Sequence, residues 1–269
     1  MSNVSTAKFL TAVNAVNPPE FSDQPDELPR IGWRNGAKQA RTGGFFYAKA
    51  DDLLDRPAAP WEPVTIYDDE PGYQAKRLSV AVVSVRTQPF MPDTDASGKK
   101  HMRWLTQWEP GAQLYTEWLC FAEGLGNYPV ILYSKGLTGK ALADALRTFR
   151  AKVLKPAERI AGRRLPSWTF WMPLATLVNE KGGVVYSDTG HGSVVTPPAL
   201  YLPGGNEVAI LDALAVDETL LALGVSVREE YAAWHSEKRG NLPAPVVAPT
   251  DNAPDIEAED PTDYSNEAW

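Results

Sequence analysis

The sharpest alternation of apolar and polar positions lies between Lys76 and Thr87, KRLSVAVVSVRT, where β-branched residues recur with the period of two that a strand requires. QLYTEWLCFA repeats the pattern: Leu114, Thr116, Trp118 and Cys120 share one strand face, and Tyr115, Glu117, Leu119 and Phe121 the other. NYPVILYSKG reads as a buried strand ending at Ser134, and the Gly43-Gly44 pair turns the chain into a strand from Gly44 to Lys49. A short strand is expected at Val64–Tyr67. Another, Arg103–Trp108, places Trp104 and Trp108 on one face, although their four-residue spacing also suits a helix. Beyond Thr138, a candidate N-cap, the period changes: Leu142, Leu146, Phe149 and Val153 form a helical stripe, which Pro156 is expected to stop. A hairpin follows, with strand Trp168–Val178, a turn at Glu180–Gly183 and a return at Val184–Tyr186. LDALAVDETLLALG predicts an amphipathic helix, and Ser226 with Glu229 a capping box opening a further helix that ends at Gly240. The elements predict a mainly β chain with helices (α+β) over residues 30–240. Residues 1–29 read as a loosely held arm, and residues 241–269, rich in Pro and Asp, as a disordered tail.

Charge changes this picture more than composition does. The chain has 269 residues and a formal net charge of -8. Yet Lys135–Arg164 holds nine basic residues and only two acids, Asp144 and Glu158, and is followed at once by Trp168, Phe170 and Trp171. A second basic-aromatic stretch, residues 30–49, sets Arg30, Arg34, Lys38, Arg41 and Lys49 around Trp33, Phe45, Phe46 and Tyr47 with no acid. Cations and flat rings together are what grip a phosphate backbone and stack bases. The same patterns have a plainer reading, a solvated helix face and a strand whose rings enter the core. The acidity collects at the C-terminus, where residues 251–269 carry seven acids and no base.

Enzymatic signals are weak. GLTGKA lacks both the leading Gly and the Ser or Thr of a phosphate-binding loop, and His101, His191 and His235 stand apart with no metal-ligand spacing. Asp51-Asp52 and Asp68-Asp69 fall in turn-like segments, where turn chemistry explains them. The single cysteine, Cys120, excludes an internal disulfide and reads as a buried thiol. No apolar run approaches the roughly 18 residues of a membrane span. The expectation is a cytosolic, non-enzymatic protein without cofactor or membrane contact.

The tail, DIEAEDPTDYSNEAW, is the most specific feature. With the basic-aromatic body it resembles the single-stranded DNA-binding proteins of phages and bacteria, with Trp269 where those families place a Phe. That resemblance implies an elaborated OB-fold-like barrel and a phage or plasmid origin. It implies a groove for single-stranded DNA built from Trp33, Arg34, Lys38, Arg41, Phe45, Tyr47, Trp104, Trp108, Lys135, Lys140, Arg147, Arg150, Lys152, Lys155, Arg163, Arg164, Trp168 and Trp171. It also implies a tail, Asp255, Glu257, Glu259, Asp260, Asp263, Glu267 and Trp269, that competes with DNA and recruits replication and recombination proteins. The rival expectation is a non-enzymatic phage structural or assembly protein with a solubilising tail. A nuclease would need a carboxylate cluster assembled from Asp144, Glu158, Glu180 or Asp188.

Overall fold

The alternating segment that begins at Lys76 grows into the longest strand of the fold, Arg77–Thr94. It is the spine of a ten-stranded mixed sheet in a computed structural model, which describes residues 28–66, 69–94, 98, 100–188 and 194–234. The expected arm up to residue 27 and the acidic tail lie outside these residues. The first eight strands are β1 (Arg30–Arg34), β2 (Phe45–Lys49), β3 (Glu62–Thr65), β4 (Pro71–Ala75), β5 (Arg77–Thr94), β6 (Lys100–Trp104), β7 (Gln113–Ala122) and β8 (Val130–Lys135). After a long helix come β9 (Met172–Thr176), β10 (Ser187–Asp188), β11 (Val194–Val195) and β12 (Pro198–Leu200). The order across the sheet is β12-β9-β5-β7-β8-β1-β2-β4-β3, with β6 on the far end of β5 and β10-β11 a separate ribbon.

One pairing differs from the rest. β1 runs parallel to β8 through only two register pairs, Arg30↔Ile131 and Ile31↔Leu132, whereas the other strand pairs are antiparallel. The sheet is therefore two antiparallel units, residues 30–75 and 77–200, joined along a narrow seam. It does not close into a barrel, since β3 and β12 are edges. Side chains instead tie the β9–β12 end to β1 and the loop after it. Trp33 Nε1 donates to Thr196 O at 2.9 Å, Thr196 N to Asn35 Oδ1 at 3.1 Å, and Thr176 Oγ1 to Gly44 O at 2.9 Å.

The expected helical stripe covers one face of this sheet. Helix α1 (Gly136–Phe149) runs through a π turn (Arg150–Leu154) into α2 (Lys155–Ala161), so Pro156 does not stop it. Proline has no N–H to give a helix, and in the first turn none is needed. The π turn, in which Lys155 N donates to Arg150 O, resets the register so that Pro156 falls in such a turn. Gly162, at φ 65°, ends the run in the left-handed region. Leu142, Leu146, Phe149, Val153 and Ala157 pack on Ile31, Phe46, Val80, Val82, Trp118, Cys120 and Leu132. Thr138 does not cap; it is buried inside α1.

The opposite face holds a second core of Ala81, Val83, Leu119, Phe121, Ile131 and Trp168, covered by the C-terminal helix. Here α3 (Glu207–Leu214) and α4 (Glu218–Glu230) replace the expected single helix and capping box. Asp217 accepts from Leu220 N at 2.8 Å and starts a new helix there, which leaves Ser226 mid-helix with its hydroxyl on Ala222 O at 3.5 Å. In the expected hairpin, Val178 bridges Val184 around a turn held by Asn179 Oδ1, but Ser167–Thr169 is a 3-10 turn that sends Trp168 inward. The strand begins only at Met172. Arg103–Trp108 is also shorter than expected: β6 ends at Trp104, and Trp108 sits 49% exposed in the following turn.

Gly224 lets α4 approach Trp168. A Cβ there would lie 2.2 Å from the indole Cδ1 and Nε1 atoms. Gly224→Ala should gain about 1 kcal/mol in helix propensity yet lose a net 1–2 kcal/mol to overpacking, read as a lower urea midpoint. An unchanged or raised midpoint would show that the helix shifts freely.

Candidate nucleic-acid interface

Strand alternation brings one ring from each of several strands onto the sheet face opposite α1. In order across the sheet they are Tyr47 of β2, Tyr133 of β8, Tyr115 of β7 and Trp104 of β6, with Phe90 of β5 beneath. Tyr47 and Tyr133 meet edge to face at 6.5 Å and share a hydrogen bond between their hydroxyls. Tyr133 stacks on Tyr115 at 6.0 Å and 15°, and Tyr115 meets Trp104 edge-on at 5.2 Å. Phe90 contacts both Trp104 and Tyr115. β1 passes between Tyr47 and Tyr133, and the residue there is Gly32. A Cβ at that position would stand 2.7 Å from Tyr133 Oη and 2.8 Å from Tyr47 Cε1. Its absence lets the row run unbroken over the seam.

The charges beside the rings are organised by Glu117, which is 2% exposed. Its Oε1 takes Arg30 Nη2 at 2.6 Å; its Oε2 takes Arg86 Nη2 at 2.7 Å and Nε at 2.8 Å. Arg30 also donates to Tyr115 Oη at 2.9 Å and lies 5.2 Å over the Tyr133 ring. Arg86 is held from the other side by the Trp234 ring at 4.2 Å and by Trp234 O. Burial pulls the Arg30 guanidinium down, but hydrogen bonding to Glu117 and the field of Tyr115 outweigh it, so its pKa ends above the usual value. Burial and the hydrogen bond with Tyr47 push the Tyr133 phenol well up. The tyrosine stays neutral, and two arginines sharing one carboxylate leave a net positive charge next to the rings.

The expected site residues divide between the two faces. Tyr47 and Trp104 belong to the row; half-buried Phe45 lies under Arg34 at 6.0 Å, and Lys135 pairs in register with Tyr115 at the row's edge. Lys38 and Arg41 are exposed in the loop between β1 and β2. Trp33 instead packs edge-on to Phe46 at 4.8 Å on the helix side. Trp168 is a correction: at 3% exposure, with its indole N–H on Leu221 O at 3.3 Å, its ring is core and stacks no base. Trp171 is half-buried against the same core. Exposed Trp108 stands apart from the row. Lys140, Arg147, Lys152 and Lys155 are exposed and Arg150 half-exposed on α1, the π turn and α2, across the sheet from the rings; Arg163 and Arg164 follow α2. One groove lined by all of them does not form.

Tyr115 and Tyr133 are the rings of the row that sequence reasoning left out, and Arg30, named in the second basic-aromatic stretch, was not carried into the expected groove. The signal available was Glu117, a carboxylate inside an otherwise apolar strand, sharing a face with Tyr115. A cavity of about 320 Å³ lined by Ser79, Glu123, Asn127, Trp171 and Leu214 contains none of the row. Among the described residues no three His, Cys, Asp or Glu are grouped to hold a metal ion. No protein family, characterised protein or solved structure matches this chain.

Proposed function

We propose that the chain binds single-stranded DNA with little sequence preference, bases against the half-exposed rings of Tyr47, Tyr133 and Trp104, with the buried Tyr115 ring bracing them from beneath, and backbone against Arg30, Arg34 and Lys135. The observation that carries this reading is the unbroken row of contacting rings with cations beside it. Every base has a π face, so such a row is sequence-tolerant, at about 1–3 kcal/mol per stacked base. A sheet that curls enough to tie its β9–β12 end to β1 and the β1–β2 loop is compatible with an opened, elaborated OB-like body. The acidic segment ending at Trp269 competes for the cations and recruits replication and recombination proteins, since a tethered polyanion acts at an effective concentration on the order of millimolar.

The test is tryptophan fluorescence titrated with oligo-dT at two salt concentrations, with duplex of equal length as control. Expected are saturable quenching by oligo-dT, weaker at high salt and much smaller with duplex, and about tenfold weaker binding by Trp104→Leu. No quenching by oligo-dT at low salt removes this function and leaves the non-enzymatic phage structural or assembly role.

A further inference from the structure

The basic run that sequence analysis placed in the groove needs another explanation, because α1 and α2 carry it on the far side of the sheet. Its exposed cations are not scattered. Lys140 and Arg147 are seven residues apart, roughly two helical turns, and so lie one above the other. Eight residues separate Arg147 from Lys155, which regular α geometry would rotate off that line by about 80°. The π turn at Arg150–Leu154 absorbs the extra residue and brings Lys155, and then Arg159, back onto it. It does the same for the buried side, keeping Phe149, Val153 and Ala157 on one stripe. The result is a straight cationic line spanning roughly 28 Å at about 1.5 Å per residue. Asp144 pairs with Arg147 at 3.1 Å and Glu207 with Arg159 at 2.8 Å. All four partners are at least 43% exposed, so these pairs are weak and exchangeable for phosphate.

The line offers charge without stacking. Phe149 is the only aromatic residue from Gly136 to Ala161, and it is 1% exposed. A straight, ring-free row of cations suits a stiff rod of phosphates better than a flexible strand whose bases seek rings. Duplex DNA supplies one charge per ~1.7 Å of axis over a full turn of about 34 Å.

We infer that the outer face of α1–α2 is a second nucleic-acid surface, one that holds the backbone of a duplex. Together with the ring face, and here resting on the function proposed above, it makes the chain a reader of junctions between single and double strand.

Labelled blunt duplex and the same duplex with an oligo-dT extension are titrated by fluorescence anisotropy against the full chain at low and moderate salt. The chain is expected to bind the blunt duplex with steep salt dependence and no tryptophan quenching, and the tailed duplex more tightly than either part. Lys140→Gln/Arg147→Gln/Lys155→Gln should weaken blunt-duplex binding about tenfold or more and flatten its salt slope by about 2–3, with oligo-dT quenching unchanged. Lys152→Gln, off the line by about a quarter turn, should stay within twofold. Trp104→Leu should keep duplex binding while losing oligo-dT affinity, so the two surfaces fail separately. No duplex binding at low salt, an undiminished triple variant, or an equal loss in Lys152→Gln overturns the inference.

Discussion

Glu117→Ala is expected to cost about 3 kcal/mol of folding stability, more than any other single change on the ring face. The carboxylate is 2% exposed and faces two guanidinium groups that are 25% and 16% exposed. Removing it leaves Arg30 and Arg86 side by side, half-desolvated and without their shared anion. Because the arginines retain some water, the cost falls at the lower end of the usual range for breaking a buried pair. Arg30 is also the charge that crosses the β1–β8 seam, so the loss acts on the weakest strand pairing. Arg30→Met/Glu117→Leu/Arg86→Met, which removes the charges together, should recover most of the stability. Urea unfolding of wild type, single and triple variants decides this. A single-variant loss under about 1 kcal/mol would mean that water, not Glu117, screens the two arginines.

Raising the pH should destabilise the fold through Cys120. The thiol is fully buried on β7, and burial pushes its pKa up to about 12 from an ordinary 9.0. Below pH 9 the thiol is protonated in both folded and unfolded chains, so the protonated-state stability is fully present. As pH rises from 9 towards 12 the unfolded chain ionises first and stability falls by about 1.4 kcal/mol per pH unit, close to 4 kcal/mol in all. Burial raises the Tyr128 and Tyr133 phenols too, and these add to the loss above pH 10. Cys120→Val, similar in volume, should remove the part between pH 9 and 10. If its unfolding free energy declines with the same slope as wild type there, the thiol ionises without opening the fold.

What could be read from sequence was what depends on near neighbours. The period of two found β5, β7 and β8, and the helical stripe found the buried side of α1, because both register in a short window. The misreadings came where a distant partner decides. The alternation stops at Thr87, yet β5 runs on through Pro89 and Pro92 to Thr94 because β7 and β6 flank it. Pro156 looks like a stop, yet the core under Val153 and Ala157 keeps the helix going through a wide turn. Trp168 sits beside a basic run in sequence and buries itself under α4. The candidate site shows the same limit most plainly. Tyr115 and Tyr133 come from consecutive, paired strands, but Tyr47 joins them only through the parallel β1–β8 pairing, which nothing local encodes. Cations and rings that are neighbours along the chain were divided between two faces.

The narrow seam also sets an order of events during synthesis. Residues 30–75 make their ladders with near neighbours, but β1 has no second partner until residues 131 and 132 exist. Translation at 5–20 residues per second takes about 3–12 s to cover the roughly 60 residues from β4 to the end of β8. Throughout that interval the meander exposes an unpaired strand edge bearing Ile31 and Trp33, a template for the wrong neighbour. Substitutions that slow the arrival of β7 and β8 should therefore lower soluble yield before they change the stability of the finished protein.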